Sequence, residues 1–398
     1  MKAPQRTRHD VVVIGSRCAG AATAMLLARA GHDVAVLDRS RFPSDALSTH
    51  GLVRGGVVQL ARWGLLEDVL ASGAPAVRQV TFRRGDAEIT RTVKRRAGVD
   101  LLVAPRRHVL DALLVDAAEA AGAEVRTEVT ATGLQRDATG RVVGVRARTA
   151  NGQPVELTAR CVVGADGLRS RVAGWAGAGV LESFAADTAT FYLYVGAEAW
   201  PAYEFHVAPD ALAGVFPTHG GEACVWLCRP TATLGPLRTA GDKRAAAFVA
   251  QLDVVSPSLA ARVRSGRITS TVRGAAGLPN HIRQPVGPGW ALVGDAGYHR
   301  DPITGHGITD AFRDAELLAT AIDAGLRDPT DEREAMTAFS RRRRAALRET
   351  FDLTRALTSF PHPDRFVELQ IQLSEALDRE AELLASLPAP AGTAVTAA

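Results

Sequence analysis

Residues 10–38 read DVVVIGSRCAGAATAMLLARAGHDVAVLD, and this stretch decides the fold. Asp10 to Gly15 is a β-branched run without alternation, the pattern of a strand buried on both faces of a parallel sheet. Residues 18–30 keep small side chains along one side of a helical period and stop at Gly31. Residues 33–38 repeat the buried-strand pattern. A strand, a helix and a strand within about thirty residues make a βαβ unit.

The turn inside that unit carries chemistry. Gly15 lets the chain reverse sharply out of the strand, and Gly20 lets the helix lie close to the sheet. Between them the amides at Cys18 and Ala19 open the helix, where they and the helix dipole can hold a pyrophosphate. Arg17 stands where the usual G-x-G-x-x-G has its middle glycine. Asp38 falls where an acid accepts bonds from ribose hydroxyls. An acid there suits an adenosine with a free 2′-hydroxyl, hence FAD or NAD rather than NADP.

Composition narrows the alternatives. The chain has 398 residues, 46% hydrophobic and 23% charged, which is ordinary globular usage for two joined domains and a helical extension. Net charge is +4, but the arginines are spread along the chain, so nucleic acid is not an expected partner. The run Arg341–Arg344 reads as the solvated face of a helix. Lysine occurs three times, at Lys2, Lys94 and Lys243, and Lys94 reads as a surface residue. Cys18, Cys161, Cys224 and Cys228 lack zinc-site spacing and read as buried thiols of a cytoplasmic protein, with no metal site. The start shows no signal-peptide pattern, and no apolar run reaches the ~18 residues of a membrane span.

The pattern beyond residue 38 predicts an α/β chain: a Rossmann-like domain in three pieces (1–75, 105–175 and 276–345), with a mixed β-sheet substrate domain inserted (76–104 and 176–275). Helices at 346–387 and a disordered tail at 388–398 complete it. A single helical stretch is expected over 243–264. Two further motifs stand at strand ends. Gly164-Ala-Asp166-Gly167 follows a strand. Gly294-Asp295 ends the buried strand at 290–293 and precedes Pro302, Gly305, His306, Gly307 and Ile308, where another helix begins.

The turn at 15–20, GADGLRS at 164–170 and GDAGYHRDPITGHG at 294–307 together resemble the three fingerprints of the class A flavoprotein monooxygenases, whose prototype is para-hydroxybenzoate hydroxylase. Geranylgeranyl reductases and flavin-dependent halogenases belong to the same superfamily. The resemblance implies FAD as cofactor and NAD(P)H as transient reductant. It implies that Gly15, Gly20 and Asp38, with Arg39, Arg41 and Arg107, hold the ADP half. Asp166 would lie near the cofactor, Asp295 would bind the ribityl region, and Pro302 with Gly305–Ile308 would border the pyrimidine edge.

On the same resemblance, dioxygen would add at flavin C4a and the hydroperoxide would deliver one oxygen to a small hydrophobic or aromatic substrate. A role in secondary metabolism is compatible with that. The segment Ala211–Pro217 (ALAGVFP) keeps only the Phe216-Pro217 end of the Y-x-W-x-F-P of the reductases, and only Pro217 of the G-W-x-W-x-I-P of the halogenases. Hydroxylation, epoxidation or a related oxygen insertion therefore leads, with C=C reduction and halogenation behind it. Candidate acid–base residues are His50, His299 and His306, because histidine titrates near neutrality. Candidate substrate contacts are Tyr192, Tyr194, Phe205, Phe216 and Trp226.

Overall fold

The computed structural model describes residues 7–392. Its central sheet carries parallel strands in the order Trp290–Leu292, Pro154–Gly164, Arg8–Ile14, Val34–Leu37 and Glu124–Arg126. Val11 and Val13 face the helices Cys18–Arg29, Arg107–Ala120 and Gly307–Arg327, meeting Met25, Leu114 and Phe312 in one core. Val12 and Ile14 face the opposite core, with Val145, Leu157 and Trp290. Both faces of this strand are buried, which is why it shows no polar alternation. An antiparallel meander, Val129–Arg136 and Val142–Thr149, leads into the long strand Pro154–Gly164.

The second sheet runs in the order Arg267–Ile268, Thr188–Gly196, Ala223–Pro230, Ala211–Pro217, Tyr203–Ala208, Gln79–Arg84 and Ala87–Thr92; Arg273–Ala276 also pairs with Thr188–Gly196. It is mixed, because Gln79–Arg84 runs parallel to Tyr203–Ala208. Helices Arg244–Val255 and Pro257–Ser265 cover one face, packing Phe248, Leu252 and Leu259 on Phe191, Leu193 and Val225. The C-terminal helices Glu332–Leu357 and Pro363–Ser386 cover part of the other. A small third sheet joins Tyr298–His299, Asn280–Arg283 and Val180–Phe184.

Several expectations need correction. The stretch 243–264 is two helices: Ser256 turns extended at φ −152°, and its hydroxyl accepts from Leu259 N to start the second helix, with Pro257 behind it. In the Arg341–Arg344 run, Arg343 is not solvated. It is 2% exposed and donates from Nε to Asp314 at 2.6 Å. Of the expected tail, 393–398 lie outside the described residues, whereas its beginning is fastened: Arg62 donates to the carbonyls of Leu387 and Pro388 at 2.9 and 2.7 Å. The helix Glu332–Leu357 also runs unbroken through residues 345 and 346, where a boundary was expected. No helix among the described residues is long and apolar enough to cross a membrane.

Candidate cofactor and active site

The first glycine turn is built by exclusion. Gly15 sits at φ +102°, and a Cβ there would lie 2.4 Å from the carbonyl oxygen of Ala165. A Cβ on Gly20 would lie 1.8 Å from the carbonyl oxygen of Gly15. Arg17 is different. Its φ is −83°, so its backbone does not require glycine. Its guanidinium turns inward, donating to Asp111 at 2.9 Å and to the Ser44 hydroxyl at 2.9 Å. Asp111 is fully buried and also accepts from Arg107 at 3.0 Å and from the Cys18 thiol at 3.1 Å. Burial pushes that thiol's pKa up, so it stays protonated. Asp38 accepts from Ser16 N at 2.8 Å and from Ser40 N at 2.7 Å, fixing the end of the second strand to the turn.

The other motifs meet this turn. Gly294 has φ +58°, and a Cβ there would come 2.7 Å from the Ala19 methyl, so the 294–295 turn rests directly on the start of the first helix. Asp166 accepts from the Ser170 hydroxyl at 2.5 Å and from Arg171 N at 2.7 Å, capping the helix Arg171–Ala176. Gly305, at φ +61°, ends a short turn begun by Asp301, and the chain then enters the 21-residue helix Gly307–Arg327. The first-turn amides of that helix have no partner within it.

The three motifs border one cleft of about 720 Å³, within the size range of small-molecule and cofactor sites. Of the residues expected from sequence, its lining includes Gly15, Arg17, Cys18, Ala19, Asp38 and Arg39, then Arg107, Asp166, Gly294 and Asp295, then Pro302 and Gly305–Ile308. His50, His299 and Tyr192 line it too. Gly20 lies beneath the turn, and Arg41 does not reach the cleft. The sequence reading missed a wall made by Ala46, Leu47, Thr190, Gly274, Ala275 and Leu278. Small and apolar residues in loops and strand ends carry no chemical signature of their own.

Four expected substrate contacts sit elsewhere. Tyr194, Phe205, Phe216 and Trp226 do not line the cleft. Phe205 stacks on Phe82 at 5.4 Å, and Phe216 and Trp226 pack at 5.4 Å from each other, in the core shared with Leu357, Phe366 and Leu369. Trp226 covers Gly214 across the strands, which accounts for a glycine in the 211–217 segment. Phe216 lies against Gly51, behind the cleft wall.

His50 is 1% exposed and holds φ +67°, an uncommon conformation for a residue with a Cβ. Its Nε2 is hydrogen-bonded to the Tyr194 hydroxyl, while its buried Nδ1 has no partner. Burial, with the charges of Arg107 and Arg106 nearby, drives its pKa down to about 3. His50 is therefore neutral near pH 7. His299 engages the Pro279 carbonyl through Nδ1 at 2.6 Å. His306 engages Glu380 on the C-terminal helix through Nε2 at 2.7 Å.

Beneath His306 lies a buried ionic network. Arg313 donates to Asp310 at 2.6 Å, to Asp314 at 2.8 Å and to Glu380 at 2.7 Å; Arg343 closes it from a second helix. His306, Asp310 and Glu380 bring possible metal ligands within 4.8 Å, but guanidinium groups already occupy both carboxylates. The donor set of the cleft suits a dinucleotide: two helix N-termini for anionic groups, an acid at the second strand, and glycines that let backbone approach closely. FAD fits these residues.

Comparison with known proteins agrees. Among curated relatives, the digeranylgeranylglycerophospholipid reductase of Methanosarcina mazei is 29% identical over 326 residues, covering 79% of this chain and 75% of the relative. The kynurenine 3-monooxygenase of Salinispora arenicola is 29% identical over a 402-residue alignment, covering 94% and 84%. Two solved structures share the fold. P. aeruginosa PqsL in complex with 2-aminobenzoylacetate has a TM-score of 0.77 at 23% identity, covering 92% of this chain and 100% of that one. A flavin-dependent brominase, Bmp2, has a TM-score of 0.79 at 20% identity, covering 97% of each. The family described as FAD binding domain matches residues 8–354; the chain belongs to that family, within the class A flavoprotein monooxygenase superfamily, and is an FAD-dependent oxidoreductase.

Proposed function

We propose that the protein is an NAD(P)H-driven monooxygenase that inserts oxygen into an apolar or aromatic small molecule. The observation that carries this reading is the composition of the cleft. One side holds the three cofactor motifs, and the other is a wall of Thr190, Tyr192, Gly274, Ala275 and Leu278 that no cofactor motif accounts for. Bound FAD supplies the electron-transfer and oxygen chemistry.

The chain's own residues bind, orient and enclose. The helix starts at Cys18 and Gly307 hold negative charge, and Asp38 and Arg107 take the adenosine side. His50 lines the cleft as a neutral imidazole, its Nδ1 buried without a partner. The Tyr194 hydroxyl holds its ring from the other side. Tyr192 and Leu278 keep that end of the cleft apolar, and water is excluded when the substrate fills it.

The test is an FAD-loaded protein whose NAD(P)H oxidation rises on adding substrate, with matching oxygen uptake and label from heavy-isotope dioxygen in the product. NAD(P)H oxidation that yields only hydrogen peroxide with every substrate tried counts against it. A second reading, C=C reduction, is favoured by the reductase relatives at 25–29% identity. It predicts alkene saturation without oxygen. Halogenation has less support, because no lysine lines the cleft among the described residues, and Lys94 is exposed outside it.

A further inference from the structure

The chain holds five tryptophans. Trp63, Trp200, Trp226 and Trp290 are at most 9% exposed. Trp175 is the exception: it is half-buried and lines the cleft. Arg171 lies over its ring, with the guanidinium carbon 4.8 Å from the ring centroid. Arg171 is itself exposed and lines the same cleft, and its guanidinium has no carboxylate partner among the described residues. Folded chains bury most of an indole, and a guanidinium laid on one makes a flat layer with an apolar and a cationic part. Such a layer facing an open cleft suits a flat aromatic ligand.

The local fold explains why the two side chains meet. They stand four residues apart on the helix Arg171–Ala176, so they share one side of it. Ser170 caps that helix by accepting from Ala173 N. Trp175 packs into the core that holds Val129, Ala131 and Val172, which sets the indole against the strand Val129–Arg136. This strand pairs on one edge only, with Val142–Thr149. Its residues Val129, Thr130 and Ala131 line the cleft. A strand edge presents main-chain donors and acceptors, the groups that pair with the edge of a base. Asp38 belongs to the same end, because its carbonyl accepts from Val129 N at 2.9 Å. A stacking layer, a strand edge and an acid for ribose hydroxyls therefore stand together, away from the helix start at Cys18 that suits the pyrophosphate.

We propose that the Arg171–Trp175 pair is an adenine platform, on which the adenine of FAD stacks beside the strand edge at Val129–Ala131. This rests on the assignment of the cleft to FAD. The adenine of NAD(P)H offers the same face, so the experiment separates the two sources.

The test reads tryptophan fluorescence and calorimetry on the apoprotein and on the FAD-loaded chain, in the wild type and in W175F, W175A and R171A. In the wild-type apoprotein ADP binds and quenches tryptophan emission, because only Trp175 is open to it. In W175F the quench disappears while ADP affinity stays within about twofold, since an aromatic ring remains. W175A weakens ADP and FAD by one common factor of about five to ten. The factor is common because the two ligands share the adenine, whereas damage spreading to the flavin end weakens FAD more than ADP. R171A weakens both by about two- to fivefold. NADP+ added to the FAD-loaded chain leaves Trp175 emission unchanged, because the platform is already occupied. The proposal is overturned if ADP does not quench, or if W175A holds ADP and FAD as tightly as the wild type. It is equally overturned if NADP+ quenches Trp175 in the FAD-loaded chain, since the platform then serves the reductant. Should W175A fail to fold, R171A decides, and unchanged ADP and FAD affinities there overturn the proposal. Uptake of neither FAD nor ADP sinks the cofactor assignment and the platform with it, whereas FAD uptake with unchanged affinity in W175A sinks the platform alone.

Discussion

Replacing Gly20 with alanine sets two physical effects against each other. Gly20 is the third residue of the helix Cys18–Arg29, and helix propensity alone makes Gly→Ala favourable by about 1 kcal/mol. The added Cβ, however, would sit 1.8 Å from the Gly15 carbonyl oxygen and 3.1 Å from the Ala165 methyl. The first obstacle is backbone, so no side-chain rotation relieves it. The helix start must retreat or the Gly15 peptide must rotate. Overpacking of this kind costs roughly 1–3 kcal/mol, more where backbone must move. Net destabilisation of about 1–2 kcal/mol is expected, with FAD affinity down at least tenfold because the moved amides no longer meet the pyrophosphate. Gly174 is the control. It lies in the helix Arg171–Ala176 with nothing within 4 Å of an added Cβ, so Gly174→Ala should stabilise by about 0.5–1 kcal/mol. The assay is thermal unfolding of the apoprotein together with FAD fluorescence titration. G20A behaving like G174A in both would refute the argument that Gly20 is kept for close approach.

Other expected outcomes follow from the same contacts. Arg17→Gly restores the usual glycine spacing yet lowers stability by about 1–2 kcal/mol, because the bonds to Asp111 and Ser44 are lost and the backbone needed no glycine; denaturant titration measures it, and a stabilised R17G contradicts it. Asp314→Ala strips a fully buried acid from between Arg313 and Arg343, so a loss of roughly 3–5 kcal/mol and little soluble protein are expected, checked by yield and by melting of whatever folds. His50 has a folded pKa of about 3, below its unfolded value, so between those two values the unfolded chain binds the extra proton. Its burial therefore makes stability fall as pH drops from about 6.5 towards 3. His50→Asn tolerates the positive φ and should flatten that slope by about one proton, read from denaturation midpoints against pH; an unchanged slope shows that His50 is not held neutral.

The parts of the site legible in the sequence are those that backbone sterics dictate. Gly15, Gly20, Gly294 and Gly305 mark positions where a Cβ or a negative φ does not fit, and Asp38 follows from strand length. The aromatic assignments failed for a definite reason. Alternation along 188–230 tells which residues share a face, but not what that face meets. Phe216 and Trp226 meet Leu357 and Leu369, more than a hundred residues away, and so became core. Arg343 was misread likewise: its acid, Asp314, lies on another helix, and nothing local announces the pairing. Glu380 escaped notice because its meaning lies in its partners, His306 and Arg313, which only geometry reveals.

The strand order of the central sheet has a temporal consequence. Strand 8–14 lies between 34–37 and 154–164, and 154–164 lies beside 290–292. Parallel neighbours cannot be joined by a tight hairpin, so each pairing must close a long loop. The wall at 294–308 follows the last of these strands and cannot be set before it. During synthesis the first glycine turn therefore emerges nearly three hundred residues ahead of the segment that completes its cleft. The antiparallel strands at 203–230 need only their close neighbours and can assemble in the interval. The earliest motif in the chain is thus among the last to become competent for its ligand.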